Sequence, residues 1–440
     1  MRDLLKILDL QVNPTFIKEE TVGRKVATLK PLLVEEEDYI PTFFVITTAV
    51  FNKLHAKVAG YTVKDLAKVR QQILEYKFSA KFIENIEQAY RGLSKLSHTK
   101  VAIRATVSAP DFPYASFSGV FPTYLNVRGV SDILKFVKQA YASFFTESVF
   151  AYLSKNKIKP ESVSLAIMVQ KMVIPEVSGV AYLMDPITHT TDNVTIEAVY
   201  GIGDVIANGE VNPDIYFVNR ETLQVIEKKI NPQFWMRSFV NDPDPETGEY
   251  TVKIELAKIW HNTPKLTDEQ IVSLSKIVTK LTEYYKDLTV EWVYSNGKFW
   301  VLQIKGIVLA NESKKVKVGT KTKTVFPLIT GLPLSYGEAT GSVVVLNADL
   351  INRMNLEELV KYVNGKIIVS SRFFPILRDV VEKAKIGGVI LDIGSPRSDG
   401  AFLLNELKIP AIGATFNASR ILKDGQKVYL DAKSGAVYPV

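Results

Sequence analysis

The sequence predicts a mixed fold, in which a larger α+β part is followed by a smaller α/β unit. The chain has 440 residues, more than one hydrophobic core normally holds, so we expect more than one domain. Helical patterns prevail in residues 17–93, whereas residues 163–218 alternate short strands with glycine and Asn-Pro turns, as an antiparallel sheet does. From Gly337 onward, short strands alternate with helices over roughly 100 residues, which is typical of a compact α/β domain.

The individual elements follow from hydrophobic periodicity and turn residues. In 63–76 and 80–93, apolar residues recur every three or four positions, which predicts two amphipathic helices. Thr47 or Thr48 is placed to cap the helix after the first buried strand. The other predicted helices are 130–153 (in one or two pieces), 267–285, 356–363, 375–385 and 398–407. The predicted strands are 41–46, 100–104, 163–172, 179–184, 193–199, 214–218, 288–294, 298–304, 341–346, 366–370 and 387–391.

Composition narrows the class of protein. Hydrophobic residues make up 47% of the chain and charged residues 23%, as in ordinary globular proteins. The chain contains no cysteine, which excludes disulfides and thiolate chemistry. No apolar run reaches the roughly 18 residues of a membrane helix, and the N-terminus MRDLLKILDL has no signal-peptide cleavage site. We therefore expect a cytoplasmic protein without a membrane span, although the absence of cysteine also fits an oxidising compartment or a thermophilic source.

The chain is basic, with a net charge of +7 and a pI near 9.0. Its main basic cluster, KKVKVGTKTK at 314–323, lies in a polar stretch between the two predicted parts. We interpret this stretch as a solvated basic linker at 311–330. Nucleic-acid binding is the alternative, but aromatic side chains that would stack on bases are not interleaved there.

Two basic side chains are candidates for phosphate binding. Lys25 follows Val22-Gly23-Arg24 at the beginning of a predicted helix, where free backbone N–H groups and a mobile ammonium favour an anion. Arg104 ends the apolar run of a buried strand, and the small-residue loop predicted from Ala105 to Asp111 suits a phosphate cradle. The alternatives are a solvated Lys25 and an Arg104 that forms a local ion pair with Asp111.

The predicted hairpin 288–304 holds two candidate metal ligands, Glu291 and Gln303, provided that both side chains lie on one face. A two-residue Asn296-Gly297 turn places Gln303 on the face opposite Glu291. A three-residue loop that begins at Ser295 brings Gln303 onto the face of Glu291. We predict the three-residue loop, because it gives Mg²⁺ two rigidly held oxygen ligands on one surface.

The predicted strand that ends in Gln170-Lys171-Met172-Val173 is a further candidate, because its edge backbone groups are placed to hydrogen-bond an adenine. The glycine-rich run at 200–214 follows no Rossmann spacing, and turns alone explain it.

Taken in order along the chain, these segments resemble the family of phosphoenolpyruvate synthase, pyruvate phosphate dikinase and rifampicin phosphotransferase. The resemblance extends from about Val22 to Tyr438. Its last part, GSPRSDGAFLLNELKIPAIG at 394–413, resembles the frame that carries the phosphohistidine of that family, with Asp399 in place of the histidine. The other segments that carry the resemblance are 115–127, 170–173, 178–180, 197–204 and 212–214.

The resemblance implies a fold and a reaction. The fold is an ATP-grasp nucleotide-binding domain at 1–310, with subdomains at about 1–160 and 161–310, followed by a swivelling phosphohistidine-like β/α domain at 331–440. In this family ATP donates its β,γ-pyrophosphoryl group to the swivelling histidine, one phosphate passes to water or free phosphate, and the other reaches an acceptor.

The resemblance also assigns roles to particular residues. Lys25 and Arg104 hold phosphates, and Arg104 takes part in catalysis. Gln170, Lys171, Met172 and Val173 line the adenine, Glu291 and Gln303 bind Mg²⁺, and Lys305 replaces the arginine that usually follows the glutamine.

Departures from the family pattern leave the reaction open. A carboxylate at Asp399 is a poorer nucleophile than imidazole and yields a labile acyl phosphate. Alternatively, Asp399 only complements a helix dipole, which is worth about 0.3–1 kcal/mol, and we favour this interpretation. The further departures are Thr289 and Pro110 in place of acids, Arg397-Ser398 in place of threonine-cysteine, histidines only outside 331–440 (His55, His98, His189 and His261), and the expected absence of the pyruvate-binding barrel.

Three hypotheses follow. The first is an ATP-dependent phosphotransferase related to phosphoenolpyruvate synthase, which either uses Asp399 as the phosphocarrier or acts directly on a substrate between the domains. The second is a catalytically degenerate ATP-binding subunit that regulates or completes a partner, with a separate subunit supplying the acceptor-binding module. The third, nucleic-acid binding, rests on net charge alone. We favour the first over the second, with ATP and Mg²⁺ as ligands in both.

Overall fold

A computed structural model of the chain describes residues 3–6, 14–34, 38–58, 60–94, 99–109, 112, 117, 120–183, 192–240, 250–285, 288–306 and 327–440. Packing divides the chain into two compact units. Unit 1 comprises Met1–Glu176, Phe239–Val252 and Leu281–Val308, and unit 2 comprises Val177–Ser238, Lys253–Lys280 and Leu309–Val440. The division predicted from the sequence, at 310 and 330, stays a prediction. The features singled out in the sequence that lie outside the described residues are the basic cluster 314–323, Pro110, Asp111, His98 and His189.

Unit 1 is built on an antiparallel five-stranded sheet with the strand order β1-β2-β5-β3-β4. Unit 1 also contains an antiparallel hairpin of β12 and β13, numbered like all elements in chain order. The strands are β1 (Leu4–Lys6), β2 (Phe43–Ile46), β3 (Val101–Ser108), β4 (Thr123–Val127), β5 (Ser164–Lys171), β12 (Leu288–Ser295) and β13 (Lys298–Gly306). The helices are α1 (Glu19–Val22), α2 (Arg24–Ala27), α3 (Lys30–Val34), α4 (Thr48–Lys57), α5 (Leu66–Leu74), α6 (Ala80–Gly92), α7 (Gly129–Ala142) and α8 (Glu147–Lys155).

The two faces of the five-stranded sheet differ in chemistry, because successive side chains of a strand point to opposite faces. One face carries Ile103 and Ile167, which pack into the hydrophobic core together with residues of α4 to α8. Cross-strand partners share a face, and Arg104 pairs with Met168 while Ala102 pairs with Gln170. The face opposite the core therefore presents polar side chains, among them Arg104, Thr106 and Gln170.

Unit 2 contains an antiparallel meander and, C-terminal to it, an eight-stranded sheet. The meander consists of β6 (Val177–Tyr182), β7 (Asn193–Tyr200), β8 (Asp214–Asn219) and β9 (Val225–Lys229), accompanied by α9 (Asp204–Ala207) and α10 (Asp268–Lys280). Lys265 Nζ lies 2.8 Å from Asp214 Oδ1, and both side chains are fully buried. Two short strands, β10 (Trp235–Phe239) and β11 (Thr251–Glu255), each have residues that belong to both units.

The eight-stranded sheet has the order β14-β21-β20-β16-β17-β18-β19-β15, and its central strands β16 to β19 are parallel. One hydrophobic cluster fills each side of it. The strands are β14 (Ile329–Thr330), β15 (Leu332–Ser335), β16 (Glu338–Leu346), β17 (Ile367–Ser370), β18 (Gly388–Leu391), β19 (Ala411–Gly413), β20 (Lys427–Asp431) and β21 (Ala436–Pro439). The helices are α11 (Ala348–Arg353), α12 (Leu356–Val363), α13 (Ile376–Lys383), α14 (Asp399–Glu406) and α15 (Ala418–Ile421).

Most predicted elements are confirmed, with one consequential error. The helix predicted at 356–363 has these bounds, and 130–153 forms two helices. The strand predicted to end at Arg104 continues to Ser108, because Ala105–Ser108 still pair with β5. The small-residue phosphate loop predicted from Ala105 is therefore wrong at its first four positions. None of the described helices is long and apolar enough to cross a membrane.

Candidate functional site

Gly23 fixes the position of Lys25. It separates α1 from α2 with a φ of +73°, and a Cβ atom there would lie 2.4 Å from Thr106 Oγ1 and 2.5 Å from the Thr106 carbonyl oxygen. The Lys25 N–H donates to Thr106 Oγ1 at 3.0 Å. Because Thr106 shares a sheet face with Arg104, this contact brings Lys25 to the polar face of the sheet.

An ion pair reinforces this contact from the other end of α1. Arg24 Nη2 lies 2.9 Å from Glu19 Oε1, and the same carboxylate oxygen accepts the Ala109 N–H at 3.1 Å. Arg24 also donates to the carbonyl groups of Ala109 and Phe112. The pair thus binds the main chain directly after β3. Sequence reasoning missed Glu19, Arg24 and Thr106, although a longer β3 would have placed Thr106 beside Arg104.

The β12–β13 hairpin has a different loop from the predicted one, but Glu291 and Gln303 still lie on one face. Ser295 pairs with Lys298, and Asn296 and Gly297 have φ of 51° and 76°, so the loop has two residues and the predicted three-residue loop is wrong. Glu291 nevertheless lies directly opposite Gln303. Trp292 pairs with Val301, so Leu302 is an extra residue that shifts the ladder by one position, as in a β-bulge.

The hairpin adjoins the segment that carries Lys25. Thr28 follows α2 and donates its hydroxyl to the Ile304 carbonyl at 2.9 Å. The Tyr285 hydroxyl donates to the Thr28 carbonyl at 2.9 Å. Lys305 follows Ile304 on β13, and Glu291 lies on β12 opposite Gln303, the residue before Ile304. The two bonds therefore place Glu291 and Lys305 close to Lys25.

The charges of this site influence one another. Lys305 Nζ lies 2.6 Å from Glu291 Oε1, and the two side chains are 37% and 30% exposed. The pKa of Lys25 is lowered from 10.5 to about 8, first by burial and then by Arg104 and Lys305, against the opposing effect of Glu291. Burial raises the pKa of Glu291, but Lys305, Arg104 and Lys25 together hold it below its usual range. Three cations therefore surround one carboxylate, which leaves a positive site suited to an anion.

Two buried donors on the polar face have no hydrogen-bond partner among the described residues: Arg104 Nε and Gln170 Nε2. Burial also lowers the pKa of Arg104, against the effect of Glu291. A buried donor without an acceptor costs about 1–3 kcal/mol, so native proteins rarely keep one without a function. Both donors fit a polar, anionic ligand on this face.

The strand end predicted to line an adenine is partly used within the protein. The Lys171 N–H donates to the Thr42 carbonyl at 2.8 Å and the Met172 N–H to the Lys100 carbonyl at 2.9 Å. Met172 Sδ accepts the Asn126 N–H. A ligand at Gln170–Val173 cannot therefore use those two N–H groups.

Asp399 lies far along the sequence, in unit 2. It is the first residue of α14, its side chain is exposed, and the preceding Ser398 caps the helix by accepting the Ala401 N–H at 3.3 Å. This position suits the helix dipole and also leaves the carboxylate accessible. No group of three or more His, Asp or Glu side chains within the described ranges is arranged to hold a metal ion.

Comparison with known protein families matches two parts of the chain. The model of the pyruvate phosphate dikinase AMP/ATP-binding domain matches residues 19–325, and the model of the mobile domain of PEP-utilising enzymes matches residues 362–435. The phosphoenolpyruvate synthase of Pyrococcus furiosus is 31% identical over 380 residues, which cover 84% of this chain and 45% of that protein. A probable phosphoenolpyruvate synthase of Archaeoglobus fulgidus is 31% identical over 440 residues, which cover 95% of this chain and 56% of that protein.

The chain spans about half the length of the curated relatives it matches. Among solved structures, a D-alanine–D-alanine ligase from Bacillus anthracis is similar over 68% of this chain and 58% of its own, with 7% identity and a TM-score of 0.24, a level that carries no argument. The match to the dikinase nucleotide-binding model covers well over half of the chain. The chain therefore belongs to the phosphoenolpyruvate synthase and pyruvate phosphate dikinase family, with an ATP-grasp domain followed by a swivelling β/α domain.

Proposed function

We propose that the chain is an ATP-dependent phosphotransferase of the phosphoenolpyruvate synthase type, and that unit 1 binds ATP together with Mg²⁺. The observation that supports this most strongly is the convergence of Lys25, Arg104 and Lys305 on Glu291. In addition, Arg104 Nε is buried and has no acceptor within the part of the chain that the structure describes. Positive side chains that are held close together repel one another when too few carboxylates balance them, and this repulsion destabilises the protein until a polyanion binds.

The phosphates of ATP bind Lys25 and Arg104 in this proposal. Arg104 offers a planar fork of donors, and Lys25 adds a compact charge that polyphosphate keeps protonated. Because these interactions strengthen as charge develops on the transferred group, Arg104 contributes to catalysis as well as to binding. The Gln170 amide faces the adenine end, with Lys171, Met172 and Val173 alongside.

Glu291 and Gln303 are the residues that would hold Mg²⁺. They lie directly opposite each other on adjacent strands, and both supply oxygen atoms, the ligands that Mg²⁺ prefers. The ion, when bound, neutralises charge on the β- and γ-phosphates. Lys305 contacts Glu291 and orients its carboxylate toward this role.

Asp399 receives the β,γ-pyrophosphoryl group of ATP in the proposed reaction. A carboxylate oxygen forms a bond to the β-phosphorus, the bond between that phosphorus and the oxygen bridging to the α-phosphate breaks, and AMP leaves with the electron pair. The immediate product is an acyl pyrophosphate; water then attacks its terminal phosphorus, the bridging P–O bond breaks, inorganic phosphate leaves, and a labile acyl phosphate remains. The exposure of Asp399 permits this step.

The alternative is a catalytically degenerate ATP-binding subunit. The position of Asp399 directly after a capping serine favours it, because a carboxylate there stabilises α14 without any chemistry. In this case a separate subunit supplies the acceptor-binding module. The acceptor, and the cytoplasmic location expected from composition, stay predictions under both functions.

Labelled ATP separates the two functions. Pure protein is incubated with Mg²⁺ and ATP labelled at the β or the γ position, and protein-bound label and AMP are measured in wild type and Asp399→Asn. Asp379→Asn, which alters another exposed first-turn aspartate, is the matched control. We expect label and AMP in wild type and the control, and neither in Asp399→Asn. ATP binding without label or AMP in any of the three would contradict phosphotransfer and support the binding subunit.

A further inference from the structure

A cavity in unit 2 takes no part in the proposed function. It has a volume of about 500 Å³ and is lined by residues 328–332, 414–417 and Ile421, together with Lys229 at the end of β9 and Asn231. All of these residues belong to unit 2, and none of them is assigned to the proposed ATP site. Small organic ligands occupy cavities of about 300–1,000 Å³, so this cavity is large enough for a small molecule.

The turn after β19 holds Phe416 in a strained conformation beside this cavity. The Asn417 N–H donates to the Thr415 carbonyl at 2.8 Å, and Phe416 between them has a φ of 63°. A hydrogen bond across one residue with positive φ defines the rare and strained form of the γ-turn. Ala414, two residues earlier, also has a positive φ, of 52°. Bulky residues seldom adopt positive φ, and native proteins keep such strain mainly at functional sites.

Polar contacts, rather than the phenylalanine ring, hold this turn in place. The Phe416 N–H donates to the Asp392 carbonyl at 3.1 Å, and the Thr415 hydroxyl donates to the Leu391 carbonyl at 2.9 Å. Phe416 itself is 50% exposed, so its ring is only half withdrawn from water. Glycine would adopt the same turn without strain. The fold therefore gains little from phenylalanine at this position, which leaves the exposed ring free to contact a ligand.

The cavity combines apolar surface with a positive charge. Phe416, Ile421 and Leu328 line it with exposed apolar side chains. Lys229 Nζ lies 3.7 Å from Glu227 Oε1, and the two side chains are 40% and 55% exposed, so this is a loose surface pair that contributes little. Among the lining residues that the structure describes, none is acidic. Lys229 can therefore pair with a negatively charged group in the cavity.

We propose that this cavity binds a small aromatic molecule with one negatively charged group, whose ring stacks on Phe416 and whose charge pairs with Lys229. Stacking of aromatic rings and pairing of a carboxylate or sulfonate with an ammonium group supply the affinity. One lysine matches one negative charge, whereas the three cations around Glu291 suit a polyphosphate. The cavity and the ATP site therefore select different ligands, and the inference does not rest on the proposed function.

Two fluorescent dyes that differ in one group test both contacts. Anilinonaphthalene sulfonate carries an aromatic ring system and a negative sulfonate, and N-phenylnaphthylamine is the same molecule without the sulfonate. We expect wild type to bind the sulfonate dye at one saturable site and to bind the neutral dye more weakly. Phe416→Gly weakens the binding of both dyes about tenfold, whereas Lys229→Met weakens that of the sulfonate dye alone, also about tenfold.

Matched variants control for unspecific binding of the dyes. Phe234→Ala removes another exposed phenylalanine and Lys228→Met removes the neighbouring lysine of β9, and we expect both to bind the dyes as wild type does. In hydrogen exchange, bound anilinonaphthalene sulfonate slows peptides that cover 328–332 and 414–421. Failure of wild type to bind the sulfonate dye, or undiminished binding of that dye by Phe416→Gly or Lys229→Met, would overturn the site. Protection confined to other peptides would overturn it as well.

The strain at Phe416 allows a second test, which separates a ligand contact from a structural role. Because glycine relieves the positive φ, we expect Phe416→Gly to unfold at the same temperature as wild type or at a higher one, although it binds the dyes less well. Lys408→Gly relieves a similar φ of 56° at an exposed position outside the cavity, so it keeps both its midpoint and its dye binding. A clearly lower midpoint for Phe416→Gly alone would show that the ring serves the fold, against the proposal. None of these measurements uses ATP, so a failure of the proposed phosphotransfer leaves them unaffected.

Discussion

Lys25 is a residue that we expect to favour ligand binding while it destabilises the ligand-free protein. Its ammonium is partly withdrawn from water and lies near Arg104 and Lys305, and Glu291 supplies a nearby opposite charge. The folded protein therefore holds this proton less tightly than the unfolded chain does. A ligand with several negative charges reverses that preference, which is why the arrangement suits polyphosphate.

We predict that Lys25→Met stabilises the ATP-free protein at pH 7 and weakens Mg-ATP binding. The pKa of Lys25 is about 8 in the folded protein, against 10.5 ordinarily. Below pH 8 the lysine is charged in both states and the folded state bears the full cost. As pH rises from 8 to 10.5 this cost disappears, so the gain from methionine is lost over the same range.

Thermal unfolding of wild type and Lys25→Met between pH 7 and pH 10.5 measures this gain. Lys30→Met, at an exposed lysine of α3, is the control and leaves the midpoint nearly unchanged. A midpoint for Lys25→Met below that of wild type at pH 7 would show that Lys25 is stabilising in the free protein, against this prediction.

At the scale of elements, the approach of α1 and α2 to β3 determines where Lys25 lies. Gly23 allows this approach both through its positive φ and through the absence of a Cβ atom. We predict that Gly23→Ala destabilises the protein by more than the roughly 1 kcal/mol of a strained φ, because the methyl group also meets Thr106. It also weakens Mg-ATP binding, since Lys25 shifts with the segment.

The control for Gly23→Ala is Gly129→Ala. Gly129 has nearly the same φ, +74°, but open space where its Cβ would lie. Denaturant unfolding and ATP titration of both variants separate backbone strain from the steric contact. Equal losses of stability, with ATP affinity unchanged in both, would show that the contact with Thr106 does not position Lys25.

The hairpin shows what a sequence can and cannot predict. Asn296-Gly297 is a strong signal for a two-residue turn. The sequence offers no comparable signal for the bulge at Leu302, because a bulge depends on how Trp292 and Val301 pack on both sides of the ladder. The common face of Glu291 and Gln303 was therefore predicted with the wrong loop.

For the other elements, the prediction from sequence succeeded where neighbouring residues determine the structure and failed where distant segments do. Helix α12 has its predicted bounds, because Asn355 and Glu358 form a capping box that adjoins a periodic apolar stripe. The end of β3 was predicted too early: pairing with β5 continues past Arg104 to Ser108, and the β-branched Thr106 and Val107 already favoured a strand there. The contacts of Glu19 and Arg24 with Ala109 join distant segments, which periodicity does not reveal.

At the scale of the whole molecule, each unit has its own polar centre. All candidate nucleotide residues belong to unit 1, whereas the buried Asp214–Lys265 pair belongs to unit 2. Asp214 also accepts from the Asn231 N–H and the Tyr216 hydroxyl, so its carboxylate links the loops around β8.

We predict that Asp214→Asn lowers the stability of unit 2 by about 3–5 kcal/mol, because it leaves the ammonium of Lys265 buried without its partner. Asp268→Asn, which removes the exposed partner of Lys228, is the control and costs about 1 kcal/mol or less. Calorimetric unfolding of both variants gives the comparison. Similar small losses would mean that the buried pair contributes no more than a surface pair.

The central claim, that unit 1 binds ATP through the cations around Glu291, is tested most directly by isothermal titration of Mg-ATP into Arg104→Met. Arg70→Met, at an exposed arginine of α5, is the matched control, and far-UV circular dichroism first confirms that both variants fold. A charge-assisted hydrogen bond is worth about 1.5–3 kcal/mol, so we predict a loss of affinity of about tenfold to a hundredfold for Arg104→Met and none for Arg70→Met. Equal affinity of wild type and Arg104→Met would contradict the account.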